Sequence, residues 1–180
     1  QVSLFGQGVK GGGNSDSHSG PEATLTNGLW AHYPFDGNAS DNSGNGHHGE
    51  SNQTQLTDDR FGRPKRAFDF DGNNSAVYLP IGSEFNSSVY SLSVSLWAKV
   101  RDPSRGTLFE QGTQENLGRD ILAFADNNLT SRVGGPLFSK AVSNMNEWRH
   151  YLVTYDVTKG SAVRKFYVDG QLFGSDSNDT

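Results

Sequence analysis

Residues 91–100 have the sequence SLSVSLWAKV, in which apolar and polar side chains alternate. Leu92, Val94 and Leu96 are apolar, whereas serines occupy the positions between them. Successive side chains of a β-strand point to opposite faces, so this period of two predicts a strand with one buried and one open face. Trp97 shares its face with the serines and Lys99, and we expect its ring to be partly exposed.

Segments rich in β-branched and aromatic residues recur along the chain, separated by clusters of Gly, Asn, Asp and Pro. No window favours a helix of ten residues or more. The predicted strands are Leu29–Phe35, Ala67–Phe70, Ser75–Leu79, Ser91–Val100, Thr107–Glu110, Asp120–Ala125, Leu129–Val133, Trp148–Tyr155, Ala162–Val168 and Gln171–Phe173. Asp169-Gly170 suits a type I′ hairpin turn, because both central residues of that turn need positive φ. The pattern predicts an all-β sandwich.

The composition excludes several classes of protein. The chain has 180 residues and a net charge of -5. Because it contains no Cys, it has no disulfide, no thiolate metal site and no cysteine nucleophile. The first 60 residues carry 7 acidic and 2 basic residues, and the remainder carries 13 of each. Neither part has the excess of basic residues that is typical of nucleic-acid-binding proteins. No apolar run approaches the ~20 residues of a membrane-spanning helix.

The N-terminal segment differs in composition from the rest. A short apolar patch over Val2–Phe5 is followed by a Gly/Ser-rich stretch, so we predict an arm and linker over residues 1–28 and one domain over residues 29–180. The chain begins with Gln1 and its only Met is Met145, which favours a processed, exported protein. An excess of N-glycosylation sequons agrees with secretion; they begin at Asn38, Asn52, Asn73, Asn86, Asn128 and Asn178.

Six motifs occur in a fixed order along residues 29–173. They are LWAHYPFDG (29–37), DNSGNGHHG (41–49), RFG (60–62) with AFDFDG (67–72), VSLWAK (94–99), WRHYLVTYD (148–156) and FYVDG (166–170). In this order they resemble the laminin G-like branch of the concanavalin A-like jelly rolls. The resemblance implies a two-sheet antiparallel jelly-roll sandwich that serves as a secreted or cell-surface recognition or adhesion module for a glycan or an extracellular protein, often with a structural calcium ion.

The loop from Asp36 to Glu50 is the candidate metal site. It is dense in side-chain and carbonyl oxygens, which suit calcium, and the expected ligands are the side chains of Asp36, Asn38 and Asp41 with the carbonyl of Gly46. The alternative is a solvated loop whose Asp and Asn side chains cap their own turns. Zinc is a weaker candidate, because the adjacent imidazoles of His47-His48 point apart on an extended chain.

Motifs for catalysis are missing from the sequence. A jelly-roll glycosidase needs two carboxylates flanking the scissile bond, and no Glu-x-Asp-x-Glu run occurs. No nucleophile elbow, phosphate-binding loop or His-Glu metalloprotease motif occurs either. We therefore expect a non-enzyme, and a glycoside hydrolase stays possible only through residues scattered in sequence.

Four residues are candidates for ligand binding. Trp97 is the best of them, because an aromatic face suits the apolar surface of a pyranose and its neighbours on the strand are polar. Tyr78, Tyr90 and Arg132 are further candidates. Trp30 and Trp148 are better explained as core residues.

The end of the sequence suggests a second type of function. Members of the resembled family continue beyond the Asp-Gly hairpin with further strands, so we expect the strand at Leu29–Phe35 to lack a neighbour. The apolar patch at Val2–Phe5 could supply one, in its own sandwich or in that of another copy. Strand exchange between copies would build a structural subunit of an extracellular filament.

Overall fold

The computed structural model describes residues 2–6, 28–80, 91–113, 116–132, 137–143, 146–156 and 163–175. These residues form strands and turns and contain no helix that could span a membrane. The strands are β1 (Val2–Gly6), β2 (Leu29–Tyr33), β3 (Glu50–Asn52), β4 (Gln55–Thr57), β5 (Ala67–Asp69), β6 (Ala76–Tyr78), β7 (Leu92–Lys99), β8 (Arg105–Thr113), β9 (Asn116–Ala125), β10 (Asn128–Ser131), β11 (Phe138–Ala141), β12 (Trp148–Asp156), β13 (Val163–Val168) and β14 (Gln171–Ser175). The all-β prediction is confirmed.

The chain divides into two compact units, Gln1–Asn86 and Ser87–Thr180. The predicted division between an arm and a domain at residue 28 stays a prediction, since residues 7–27 lie outside the described part of the chain.

The first unit contains three antiparallel strand pairs, β1 with β2, β3 with β6, and β4 with β5. In the first pair Leu4 lies opposite Ala31, and both side chains are fully buried. The apolar patch at the N-terminus therefore occupies the position beside the Leu29 strand that the sequence suggested for it, within the same chain.

The second unit is a sandwich of antiparallel strands. One layer has the order β14-β13-β12-β7, and the other has the order β11-β10-β9-β8. Aromatic rings join the layers: Phe124 of β9 meets Tyr151 of β12 edge to face, and Phe138 of β11 stacks on Phe166 of β13 at 4.0 Å between centroids. These large apolar rings form part of the core of this unit.

Strand β7 has the burial pattern that its sequence predicted. Leu92, Val94 and Leu96 of β7 are buried, whereas the serines between them are partly exposed. The turn between β13 and β14 also agrees, with positive φ at both Asp169 (50°) and Gly170 (77°).

Three strands were not predicted from the sequence. Every residue of β4 is exposed, β3 is exposed or partly so, and β11 has one partly buried residue, Phe138. Such strands carry no alternation of buried and open side chains, so their pairing depends on partners elsewhere in the chain.

Candidate functional site

The Asp36–Glu50 loop folds around the carboxylate of Asp41. Its Oδ1 accepts hydrogen bonds from the backbone N–H of His32 (2.9 Å) and of Ser43 (2.8 Å). Its Oδ2 accepts from the Ser43 hydroxyl (2.8 Å) and from the N–H of His47 (3.0 Å). Asp41 is buried, and these hydrogen bonds make its carboxylate the link between β2 and the loop that follows it.

The titration of Asp41 reflects these contacts. Burial would raise the pKa of this carboxyl, but the hydrogen bonds from His32, Ser43 and His47 outweigh burial and hold the pKa below its ordinary value. Asp41 therefore stays charged in the folded loop.

Histidine and aromatic rings complete the core beside this loop. The imidazole of His47 stacks on the indole of Trp30 with 3.6 Å between centroids, and the backbone carbonyl of His47 accepts from the Tyr33 hydroxyl at 2.6 Å. His48 accepts from the N–H of Asp41 through Nδ1 (3.2 Å). Trp30 is buried, as expected for a core tryptophan.

The other predicted calcium ligands have separate surroundings. Asp36 forms an ion pair with Arg66 (2.7 Å), and the Asn38 side-chain oxygen accepts from the N–H of Ser40. Gly46 is exposed with φ of 79°. Among the residues that the structure describes, no three His, Asp or Glu side chains are grouped to hold a metal ion.

As folded, this donor set does not fit a calcium ion. An ion would have to displace a guanidinium from Asp36 and N–H donors from Asp41, both of which already neutralise or solvate the carboxylates. Calcium binding at this loop stays a prediction that requires such a rearrangement.

Trp97 lies on the outward face of the β14-β13-β12-β7 layer. It is paired with His150 of β12, whose ring lies 5.4 Å from the indole centroid, and His150 Nε2 lies 2.7 Å from the Ser95 hydroxyl. The register places Leu152 opposite both Ser95 and Tyr167. We call these five residues the Trp97 surface: Ser95, Trp97, His150, Leu152 and Tyr167, all partly exposed.

Of the four predicted ligand-binding residues, the structure describes three, each in a different part of the chain. Tyr78 is an exposed residue of β6 in the first unit, and Tyr90 lies outside the described residues. Arg132 is exposed and follows β10 in the layer opposite that of Trp97. Of the four, Trp97 is the one whose described neighbours supply both a ring and a hydroxyl.

A shallow groove of about 400 Å³ lies in the first unit. Leu56 and Phe68, which face each other across the β4–β5 pair, provide its apolar part. Its rim is small and polar, with Asn38, Ser40 and Thr54 among the lining residues.

The turn between β4 and β5 presents a feature that the sequence analysis did not identify. The buried Asp59 carboxylate accepts from the N–H of Phe61 and Arg63 and pairs with the Arg63 guanidinium at 2.6 Å. Burial would raise the pKa of Asp59, but the hydrogen bonds and charge of Arg63 lower it to about 2. In the sequence, this turn could have been noticed from its four cationic residues, at positions 60, 63, 65 and 66.

Buried carboxylates in the described part of the chain are thus structural. Asp41 and Asp59 each organise their own loop through hydrogen bonds from backbone N–H groups. A glycosidase needs two carboxyl groups that face one bond, about 5–9 Å apart.

Comparison with known proteins identifies one family. A laminin G model, described as the concanavalin A-like lectin/glucanases superfamily, matches residues 71–180. No curated protein and no solved structure gives a significant match.

Proposed function

The chain belongs to the laminin G family of the concanavalin A-like lectin/glucanase superfamily, and on that premise we propose that it is a non-catalytic recognition module that binds a glycan outside the cell. The membership shows a β-sandwich module of a type that binds carbohydrate or protein. We propose three things beyond this membership: that the ligand is a glycan, that the module does not catalyse a reaction, and that it works outside the cell.

The observation that carries the proposal is the composition of the Trp97 surface. A partly exposed indole lies beside the imidazole of His150, and a hydroxyl of Ser95 lies within hydrogen-bond distance of that imidazole. A pyranose has an apolar face and a rim of hydroxyls, so a ring next to polar groups complements it. An apolar protein partner would not need the polar groups.

The non-catalytic part of the proposal rests on the carboxylates. Asp41 and Asp59 are held in an ionised state by their hydrogen bonds. A general acid at neutral pH needs a raised pKa, which is the opposite shift. Glycoside hydrolysis is therefore the less favoured alternative within the superfamily.

A glycan array tests the proposal. The intact chain should bind at least one saccharide, and Trp97→Ala should reduce that binding by about tenfold, the loss of one stacked ring contact. Tyr78→Ala is the matched control, because it removes an exposed aromatic ring from the first unit. Failure of the folded chain to bind any saccharide, or equal binding by the Trp97 variant, would contradict the proposal.

Calcium dependence is a separate proposal that rests on the family resemblance. It predicts that binding on the same array falls when calcium is chelated. Unchanged binding in the presence of EDTA would leave the glycan proposal intact and remove the calcium proposal.

A second candidate function is a structural subunit that exchanges its first strand with another copy. It is favoured by β1, which pairs with β2 and buries Leu4 completely, while the intervening residues 7–27 are rich in Gly and Ser. The same pairing made between copies would link them. Light scattering should then show mass that rises with concentration in the intact chain and not in Leu4→Asp; a monomer at all concentrations would contradict this function.

A further inference from the structure

The N-glycosylation sequons differ in how the folded chain uses their polar groups. The structure describes four of the six, those that begin at Asn38, Asn52, Asn73 and Asn128. An oligosaccharide is attached through Nδ2 of the Asn, so the folded chain has to leave that atom accessible. Asn52 Nδ2 donates to the carbonyl of Asn74 (3.2 Å), and Asn128 Nδ2 donates to the carbonyl of Asp126 (2.9 Å). Two of the four acceptor nitrogens are therefore already hydrogen-bonded.

The two remaining sequons differ at their hydroxyl group. In the Asn73 sequon, the Ser75 hydroxyl donates to Oδ1 of Asp71 (2.7 Å). In the Asn38 sequon, Asn38 Oδ1 accepts from the N–H of Ser40 (2.9 Å), whereas Asn38 Nδ2 and the Ser40 hydroxyl form no hydrogen bond with any residue that the structure describes. Asn38 is also exposed. Of the four described sequons, the one at Asn38 is thus the one whose nitrogen and hydroxyl are both available.

The Asn38 sequon borders the shallow groove of the first unit. All three of its residues line the groove, together with Leu56 and Phe68 of the β4–β5 pair. Leu56 is 39% exposed, and Phe68 is held edge-on against Phe35 with 5.1 Å between ring centroids. None of the residues that line this groove is charged. The groove therefore offers a neutral polar rim and an apolar part beside the acceptor Asn.

A sugar bonded to the chain suits this groove better than a free one. The groove has a volume of about 400 Å³ and is shallow, so it covers little of a free molecule, whose contacts must first offset the cost of association. A short covalent tether removes that cost, because it gives the attached group an effective concentration in the millimolar range. The first sugar of an N-linked oligosaccharide is neutral and has an apolar face, which matches the uncharged lining and Leu56.

We propose that Asn38 carries an N-linked oligosaccharide whose first sugars occupy this groove. In the transfer, Nδ2 of Asn38 forms a bond to C1 of the first sugar and loses a proton, while the lipid pyrophosphate of the donor leaves C1 with the bonding electron pair. The donor and its transferase belong to a secretory route, so the proposal rests on the extracellular location in the proposed function. It concerns a covalent group in the first unit, away from the sequence motif of Trp97.

Secretion of the full chain from a eukaryotic cell line, behind a cleavable leader, supplies the transferase and tests the site. Peptide mapping by mass spectrometry should find most of the secreted chain modified at Asn38. Ser40→Ala removes the hydroxyl that the sequon needs and should abolish this modification, whereas Ser40→Thr keeps a hydroxyl and should retain it. An unmodified Asn38 in the secreted chain, or a modification that persists in Ser40→Ala, would overturn the proposal.

The melting temperature tests whether the sugars occupy the groove. The modified chain should melt about 2–4 °C above Ser40→Ala, the shift that one added sugar contact gives in a chain of this size. Ser40→Thr is the control and should melt with the intact chain. Leu56→Ser keeps the sequon but removes the apolar contact, so Ser40→Ala should cause no further shift in that background. Equal melting of the intact chain and Ser40→Ala, or an undiminished shift in the Leu56→Ser background, would overturn the proposal.

The proposed function is judged separately from this site. Saccharide binding on the array by a secreted chain with an unmodified Asn38 would remove this proposal and leave the proposed function. Modification of Asn38 with the expected melting shifts, in a chain that binds no saccharide on the array, would support this proposal and contradict glycan binding.

Discussion

Replacing Asp41 by Asn tests whether this carboxylate organises the loop that follows β2. Asn keeps one oxygen for the N–H groups of His32 and Ser43 but loses the charge that strengthens both bonds. Its amide nitrogen then faces the N–H of His47, so two donors meet and one is left unsatisfied. The opposite amide rotamer is worse, because its nitrogen would face two N–H groups.

The expected loss follows from these three contacts. Weakening two charge-assisted bonds and leaving one donor unpaired costs about 3 kcal/mol of unfolding free energy. For a chain of this size that corresponds to a melting temperature lower by about 6–12 °C. Asp36→Asn is the matched control: it breaks an exposed ion pair with Arg66 in the same loop and should cost at most about 1 kcal/mol.

The pH dependence of this loss is a second readout. The folded pKa of Asp41 is lowered, so its charged form contributes stability that is present above the unfolded pKa of ~3.9 and is lost as pH falls through the folded pKa. The gap in melting temperature between the intact chain and Asp41→Asn should therefore be largest near neutral pH and narrow below about pH 4. Scanning calorimetry at several pH values measures both the loss in melting temperature and its dependence on pH. Melting of Asp41→Asn within a degree of the intact chain, or losses equal to those of Asp36→Asn, would refute the reasoning.

Three further predictions concern stability. If calcium displaces the hydrogen bonds of the Asp36–Glu50 loop, millimolar calcium should raise the melting temperature of the intact chain but not that of Asp41→Asn, and an unchanged melting curve would contradict the calcium proposal. Asp59→Asn should lower the urea midpoint at pH 7, and because the folded pKa of Asp59 is about 2 this deficit should shrink between about pH 4 and 2; a deficit that is constant with pH would contradict the role of its charge. Gly174→Ala should cost about 1–3 kcal/mol, since the new Cβ would lie 2.7 Å from Phe138, a ring already stacked in the core, while Gln171→Ala at an exposed position of the same strand should be nearly neutral; equal melting of the two variants would show that Phe138 moves freely.

The candidate site could be predicted from the sequence only in part. The alternation of residues 91–100 was enough to place Trp97 on the open face of its strand, and the structure agrees. The residues beside it, His150 and Tyr167, belong to strands more than 50 positions away, and no spacing in the sequence indicates that contact. The oxygen-rich loop was recognisable, but whether Asp41 faces a metal or backbone N–H groups depends on where His32 and His47 lie in the fold.

The sequence by itself determined the all-β class, the face of β7 that is buried and the turn at Asp169-Gly170. All three follow from local chemistry: side chains alternate along a strand, and positive φ favours Asp and Gly. Tertiary structure alone decided that β4 and β5 form a pair, that Asp59 holds the turn between them and that two guanidiniums lie close to the Phe61 ring. The reason is that an exposed polar strand or a charged turn carries the same residues whether or not a partner is near, and only the folded chain brings the partner into contact.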